Sequence, residues 1–308
     1  TDVAVIGAGP VGLFAIFECG MLKMRCHVVD TLEVIGGQCA ALYPEKPIYD
    51  IPGYPRILAQ ELIDRLAEQA APFQPVYHLG QQVTGLDRRA EGGWRVTTSR
   101  GVVIDATAVI IAAGCGAFGP NRPPLAGLEG YEGHSVHYLV QRREGFRGKR
   151  IVIAGGGDSA VDWALSLADL AEKIYVVHRR AKFRAAPDSV DRLHDLAKAG
   201  RIELVIPFQL AGLEGDGRQL SGVVVADLEG HRKTLPADCL LPFFGLSMNL
   251  GPIADWGLQL DHHHITVNPA TSETSAAGIF AIGDIAHYQG KLKLILSGFH
   301  EAALMARG

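Results

Sequence analysis

Two glycine-rich runs in this chain have the composition to hold an anion without any cationic side chain. Gly7-Ala8-Gly9-Pro10-Val11-Gly12 follows the apolar run Val3-Ala4-Val5-Ile6, and Gly155-Gly156-Gly157-Asp158-Ser159-Ala160 follows Ile151-Val152-Ile153-Ala154. In such a run one glycine permits the tight turn and a second lets backbone approach a pyrophosphate. The third position, Gly12 or Ala160, lets the next helix pack closely on the strand. The helix N-terminus then offers unpaired N–H groups and a partial positive charge to the anion. A single run of this kind is a weak signal, because glycine turns are common. Here there are two, each with a strand pattern before it and a helical pattern after it, which argues against coincidence.

The residues that close each second strand separate the two ligands. The first repeat continues into Cys26-His27-Val28-Val29-Asp30. A carboxylate there can accept hydrogen bonds from both ribose hydroxyls and repels a 2′-phosphate, so this copy suits FAD or NAD. The second repeat continues into Ile174-Tyr175-Val176-Val177 and ends at His178-Arg179-Arg180, with Arg184 close behind. Guanidinium groups pair bidentately with phosphate, so this copy suits NADP. A plain solvated basic turn would explain one arginine better than three.

The elements that must position these residues follow from the repeat. Each strand–turn–helix–strand unit is trailed by a β-rich stretch, Val83 to Ile111 in the first and Ile202 to Phe244 in the second, with turns at Glu91-Gly92-Gly93 and Glu214-Gly215-Asp216-Gly217. The expected fold class is α/β, with two Rossmann-like dinucleotide-binding domains, each a three-layer ββα arrangement. Leu62, Ile63 and Leu66 share one helical face and are expected to pack in a core.

A length of 308 residues leaves room for about two domains with cores of their own. With 29 Lys and Arg against 33 Asp and Glu, nothing draws the chain towards nucleic acid or anionic lipid. No run reaches the ~18 apolar residues of a spanning helix. Cys19, Cys26, Cys39, Cys115 and Cys239 form no C-x-x-C and no metal-ligand cluster, which favours a reducing cytoplasm and no metal. The run His262-His263-His264 is expected to be an exposed turn without function. The sequence starts at Thr1 inside a strand pattern and stops at Gly308 after a helical one, so both ends are expected to be trimmed.

Over essentially its whole length the chain resembles the two-dinucleotide-binding flavoprotein disulfide reductase superfamily. The stretch from Thr274 to Gly283-Asp284 is similar to that superfamily's second flavin motif, which implies Asp284 on the ribityl chain. The implied organisation is a discontinuous FAD-binding domain, 1–114 and 244–308, with an NADP-binding domain, 115–243, inserted. Connectors near Ala113-Gly114 and Phe244-Gly245 are expected to permit rotation. Dithiol chemistry is contradicted twice. After Gly36-Gly37-Gln38-Cys39 the fifth residue on is Pro44, and the stretch matching the thioredoxin reductase C-x-x-C is Tyr138-Leu139-Val140-Gln141. Disulfide reduction needs an attacking and a resolving thiol, so Cys39 is expected to be a small packed residue.

The runs Gly36-Gly37-Gln38, Ala41-Leu42-Tyr43-Pro44-Glu45-Lys46, Gly155 to Ala164, and Gly283-Asp284-Ile285 with Lys291-Leu292-Lys293-Leu294-Ile295 are similar to ferredoxin-NADP(+) reductases of the thioredoxin-reductase-like type. That resemblance implies FAD contacts at Asp30, Gln38, Tyr43, Val83, Phe118 and Asp284, beside Gly7, Gly9, Pro10, Gly12 and Gly37 of the flavin-binding turns. It implies NADPH contacts at Gly156, Gly157, Asp158, Ser159, Ala160, His178, Arg179, Arg180 and Arg184. Tyr43 would stack on the isoalloxazine, although the residue itself reads equally well as a partly buried aromatic. The implied activity is FAD-dependent electron transfer between NADPH and ferredoxin, or flavodoxin, in a homodimer. On that reading a bound flavin would supply the change from hydride to single-electron transfer, and no side chain would act as a catalyst. A non-catalytic FAD/NADP-binding redox sensor and a reductase of another acceptor are the alternatives.

Two further expectations concern charge. A helix starting near Leu294 would turn its positive end towards the flavin N1/C2 edge, with Lys291 and Lys293 as additional cations. Residues 141–150 hold five cations, Arg142, Arg143, Arg147, Lys149 and Arg150, against Glu144. They read either as a solvated loop or as a docking surface for an acidic partner. Family members also carry a C-terminal tail over the other flavin face, beyond the end of this sequence.

Overall fold

The computed structural model describes residues 1–307, without the side chains of Ala117, Phe118 and Leu246. The chain divides into two compact units, one formed by Thr1–Phe118 with Met248–Gly308 and the other by Gly119–Ser247.

The two-part unit is built on a five-stranded parallel sheet in the order Ile279–Ala281, Ala108–Ile111, Val3–Ile6, Cys26–Val29, Val76–His78. Successive side chains of a strand point to opposite faces, and all four residues of Val3–Ile6 are buried because both faces are covered. Val3 and Val5 enter one core with Leu13 and Ile16 of helix Pro10–Met21 and with Leu62, Ile63 and Leu66 of helix Ala59–Ala70. Ala4 and Ile6 enter another with Val96 and Ile104 of the antiparallel meander Val83–Arg88, Trp94–Thr98, Val103–Ala106. A continuous apolar strand is what this double burial requires.

The inner unit repeats the plan. Its parallel sheet runs Ile202–Val205, Lys173–Val177, Arg150–Ala154, Cys239–Pro242. Val152 and Ala154 share a core with Val223 and Val225 of the meander Gln209–Gly215, Leu220–Ala226, Arg232–Pro236. In both units the central strand runs straight into a glycine turn and a helix, so both turns lie at the carboxyl end of a parallel sheet, where ligands of such folds bind. No helix among the described residues is long and apolar enough to cross a membrane.

Candidate functional site

In the two-part unit the glycine turn opens a cleft of about 280 Å³. Gly7 has φ +109°, and a Cβ there would lie 2.4 Å from the Ala112 carbonyl oxygen, so only glycine fits. Gly9 is the N-cap of helix Pro10–Met21 and no side chain caps it, which leaves the first-turn amides for a ligand. The short helix Gly37–Ala41 brings Gly37 against this turn, close enough that a Cβ on Gly37 would sit 3.0 Å from the Cα of Gly9. Gly12 is placed differently from the other turn residues. It is buried, does not line the cleft, and a Cβ on it would collide with the Gly7 carbonyl at 2.0 Å. Its smallness lets the helix meet the strand.

Asp30 lines the cleft. Its carboxylate accepts the amides of Ala8 at 2.6 Å and Leu32 at 2.8 Å. Burial nevertheless pushes its pKa above the ordinary carboxylate value, against the pull of these backbone bonds. Pro10, Gln38, Tyr43, Val83 and Asp284 also line the cleft. Burial, followed by the neighbouring Cys39, drives the Tyr43 hydroxyl well above its usual pKa, so the ring presents a neutral phenol. Phe118 lies in the strand Ala117–Pro120, and its side chain is outside the described residues.

The cleft fits an FAD. It offers a carboxylate suited to ribose hydroxyls, bare glycine backbone and an uncapped helix suited to a pyrophosphate, and an aromatic and a second aspartate in its lining.

Several lining residues carried no recognisable signal in the sequence. Leu250, Ile253 and Trp256 come from the segment around the short helix Gly251–Asp255 and complete the apolar wall. Lys293, Leu294 and Ile295, by contrast, lie where the sequence marked a helix start with a cation, and they line the cleft at the start of helix Ile295–Arg307. Lys291, expected as a second cation there, instead turns inward to a buried ion pair with Glu301. The histidine run needs a correction too. His262 and His263 are exposed, but His264 is half-buried with its Nε2 2.8 Å from Lys293 Nζ. Burial, then the charge of Lys293, lowers its pKa.

In the inner unit Gly157 is the N-cap of helix Asp158–Leu167, again without a side-chain cap, and a Cβ added to it would meet nothing within 4 Å. Ala160 is fully buried beneath the turn, and Ser159 is exposed on the first turn of the helix. Gly156 is needed for another reason: a Cβ there would strike the His178 ring at 2.2 Å. His178 is therefore a buried support for the turn. Its ring stacks on Phe183, its Nε2 lies 3.3 Å from the Lys182 carbonyl oxygen, and burial lowers its pKa. The carboxylate of Asp158 accepts the Ala186 amide at 2.9 Å, while the Arg184 amide donates to the Gly156 carbonyl at 2.7 Å. These two bonds stitch the arginine loop to the glycine turn. Arg179, Arg180 and Arg184 are exposed, and no ion pair engages them among the described residues.

The basic stretch 141–150 is partly neutralised. Arg143 pairs with Asp169, Arg147 with Glu144, and Arg150 with Asp238. The carboxylates of Asp169 and Asp238 arrive from distant sequence, while among the described residues no ion pair engages Arg142 or Lys149. The five cysteines are free. Cys39 is buried in the core beside the cleft, and burial pushes its thiol up to about 11.

The model of the pyridine nucleotide-disulphide oxidoreductase family matches residues 1–302. The chain belongs to that family. Among curated relatives, a ferredoxin–NADP reductase from Paramagnetospirillum magneticum is 65% identical over 306 residues, covering 99% of this chain and 91% of that protein. One from Rhodospirillum rubrum is 64% identical over 309 residues, covering 99% and 90%. Among solved structures, thioredoxin reductase from Lactococcus lactis superposes with a TM-score of 0.86 at 25% identity, covering 99% of this chain and 96% of that one. The T. acidophilum thioredoxin reductase, at 24% identity and a TM-score of 0.87, shares the fold. Within this family of dinucleotide-binding oxidoreductases the chain keeps both nucleotide turns. Its five free cysteines include no C-x-x-C pair.

Proposed function

We propose that this protein is a ferredoxin–NADP reductase that carries FAD in the cleft of its two-part unit and takes NADPH at the glycine turn of its inner unit. The observation that carries the reading is the pairing, in one chain, of an Asp30-lined cleft with an Arg179-Arg180-Arg184 loop stitched to a second uncapped helix. The first selects a dinucleotide with free ribose hydroxyls and the second one with a 2′-phosphate. The names of relatives at 65% and 64% identity point to the same chemistry and to ferredoxin as the acceptor.

Bound FAD supplies the conversion between hydride transfer and single-electron transfer, so no side chain need act as acid, base or nucleophile. The residues bind and orient. Asp30 accepts the adenosine ribose hydroxyls, and the Gly7 and Gly9 backbone with the amides after Pro10 holds the pyrophosphate. Gly37, Gln38 and Val83 shape the cleft, Asp284 accepts the ribityl hydroxyls, and Tyr43 packs on the ring system. The start of helix Ile295–Arg307, with Lys293, brings positive potential to the ring's polar edge. In the inner unit the amides after Gly157 take the NADPH pyrophosphate, with Ser159 and Ala160 on the same turn. Arg179, Arg180 and Arg184 take the 2′-phosphate, while Asp158 and His178 hold the loop in place. The protein works as a cytoplasmic homodimer, with flavodoxin as a second acceptor class.

Anaerobic mixing with NADPH tests the proposal. The yellow flavin band should bleach and return on adding oxidised ferredoxin; binding of both nucleotides without bleaching would identify a sensor instead.

A further inference from the structure

Glu301 lies two turns into helix Ile295–Arg307 and is 2% exposed. Its carboxylate takes three donors: the Gly283 amide at 2.7 Å, the Tyr288 hydroxyl at 2.8 Å and the Lys291 ammonium, whose side chain is itself 4% exposed. None of Glu301, Lys291 and Tyr288 lines the cleft, yet the Gly283 amide belongs to backbone that does, and Lys291 stands two residues before Lys293, which does. Gly283 and Asp284 line the cleft, and so do Lys293, Leu294 and Ile295, which join Lys291 to the helix. A buried ion pair contributes little net stability compared with an apolar pair of the same volume. What distinguishes this one is that it ties two separate cleft-forming segments to one point.

We infer that the Glu301–Lys291 pair is a positioning device that fixes the Gly283-Asp284 turn relative to the start of helix Ile295–Arg307, and thereby sets how tightly the cleft holds its flavin and at what potential. The inference rests on the proposed FAD site. Glu301 holds the turn through the Gly283 amide, one residue from the Asp284 carboxylate. Lys291 holds the approach to the helix whose positive end faces the cleft. Gly298, on the same helix, packs so closely on Val11 that a Cβ would lie 2.3 Å from its methyl carbon, so the helix has little room to compensate by sliding.

The test compares the parent with E301Q/K291M, which removes both buried charges together, and with E301D, which keeps them but shortens the reach. The readouts are the FAD dissociation constant of the apoprotein, the flavin midpoint potential and the apoprotein melting temperature. The double variant should melt close to the parent yet bind FAD about tenfold more weakly, as loss of a charge-assisted bond predicts, with a shifted potential. E301D should show the same two changes in smaller measure. Parent-like affinity and potential in the double variant would overturn the inference, and so would failure of both variants to fold, which would make the pair purely structural. A parent protein that bound no FAD would instead sink the cofactor assignment itself.

Discussion

The Asp30 carboxylate accepts the Ala8 amide at 2.6 Å, locking the end of the second strand to the glycine turn of the first. The bond serves two roles whose pH dependences run in opposite directions. Burial raises the Asp30 pKa, so the folded apoprotein binds a proton there more readily than the unfolded chain does. Its stability relative to D30N should therefore fall as pH rises through the folded Asp30 pKa. FAD affinity should rise over the same interval, because only the carboxylate accepts from both ribose hydroxyls. D30N should bind FAD about 10- to 100-fold more weakly at neutral pH, the range expected for charge-assisted hydrogen bonds, with little pH dependence. Flavin titrations and melting curves of both proteins from acid to neutral pH check the two slopes.

Gly7 is the first motif glycine of its repeat and Gly157 the second of the other, and substitution should separate their roles. At Gly7 the positive φ costs an alanine about 1–3 kcal/mol, and its Cβ would also strike the Ala112 carbonyl. G7A should lose stability and FAD together. Gly157 has φ −99° and open space around a Cβ. G157A should change the melting free energy by about 1 kcal/mol or less while raising the KM for NADPH, because the methyl group stands where a phosphate approaches. A melt combined with steady-state kinetics distinguishes the two outcomes.

What the sequence disclosed depended on whether the determinant was local. Val3–Ile6 and Ile151–Ala154 are legible because a strand buried on both faces must be apolar throughout, and Gly7 because its turn can take no Cβ. Trp256, His264 and Glu301 were not legible. Each reaches the cleft or its supports only after segments far apart in sequence have packed together, and nothing near them marks the role. The stretch 141–150 shows the converse. Its charges are plain in the sequence, but the carboxylates of Asp169 and Asp238 that pair with them come from elsewhere in the fold.

The arginine loop should decide between NADPH and NADH. Arg179, Arg180 and Arg184 are exposed, so truncating them leaves no buried charge unpaired, and R179A/R180A should fold normally. Each lost charge-assisted bond to a phosphate is worth about 1.5–3 kcal/mol. The double variant should therefore raise the KM for NADPH at least tenfold and leave that for NADH nearly unchanged. R184A should behave in the same way more weakly, since its main-chain bond to Gly156 survives the substitution. Equal losses with both nucleotides would instead point to a disturbed glycine turn.

Cysteine chemistry provides the sharpest contrast with the disulfide-reducing relatives. A thiol must ionise before it attacks a disulfide. Cys39 is buried and its thiol is pushed up to about 11, so at about pH 8 only about one molecule in a thousand carries the thiolate. Burial raises the Cys115 thiol as well. Neither stands in a C-x-x-C, and both are free. The C39A/C115A variant should keep NADPH-driven ferredoxin reduction within about a factor of three, paying only the ~1 kcal/mol of stability that a small cavity costs. The parent should show no NADPH-dependent reduction of a thioredoxin disulfide under conditions where it turns over ferredoxin. Alkylation of Cys39 should be slow in the folded protein and fast after denaturation. A variant that lost ferredoxin reduction while keeping its FAD and its fold would mean that a thiol lies on the electron path, and the two-nucleotide scheme would have to include it.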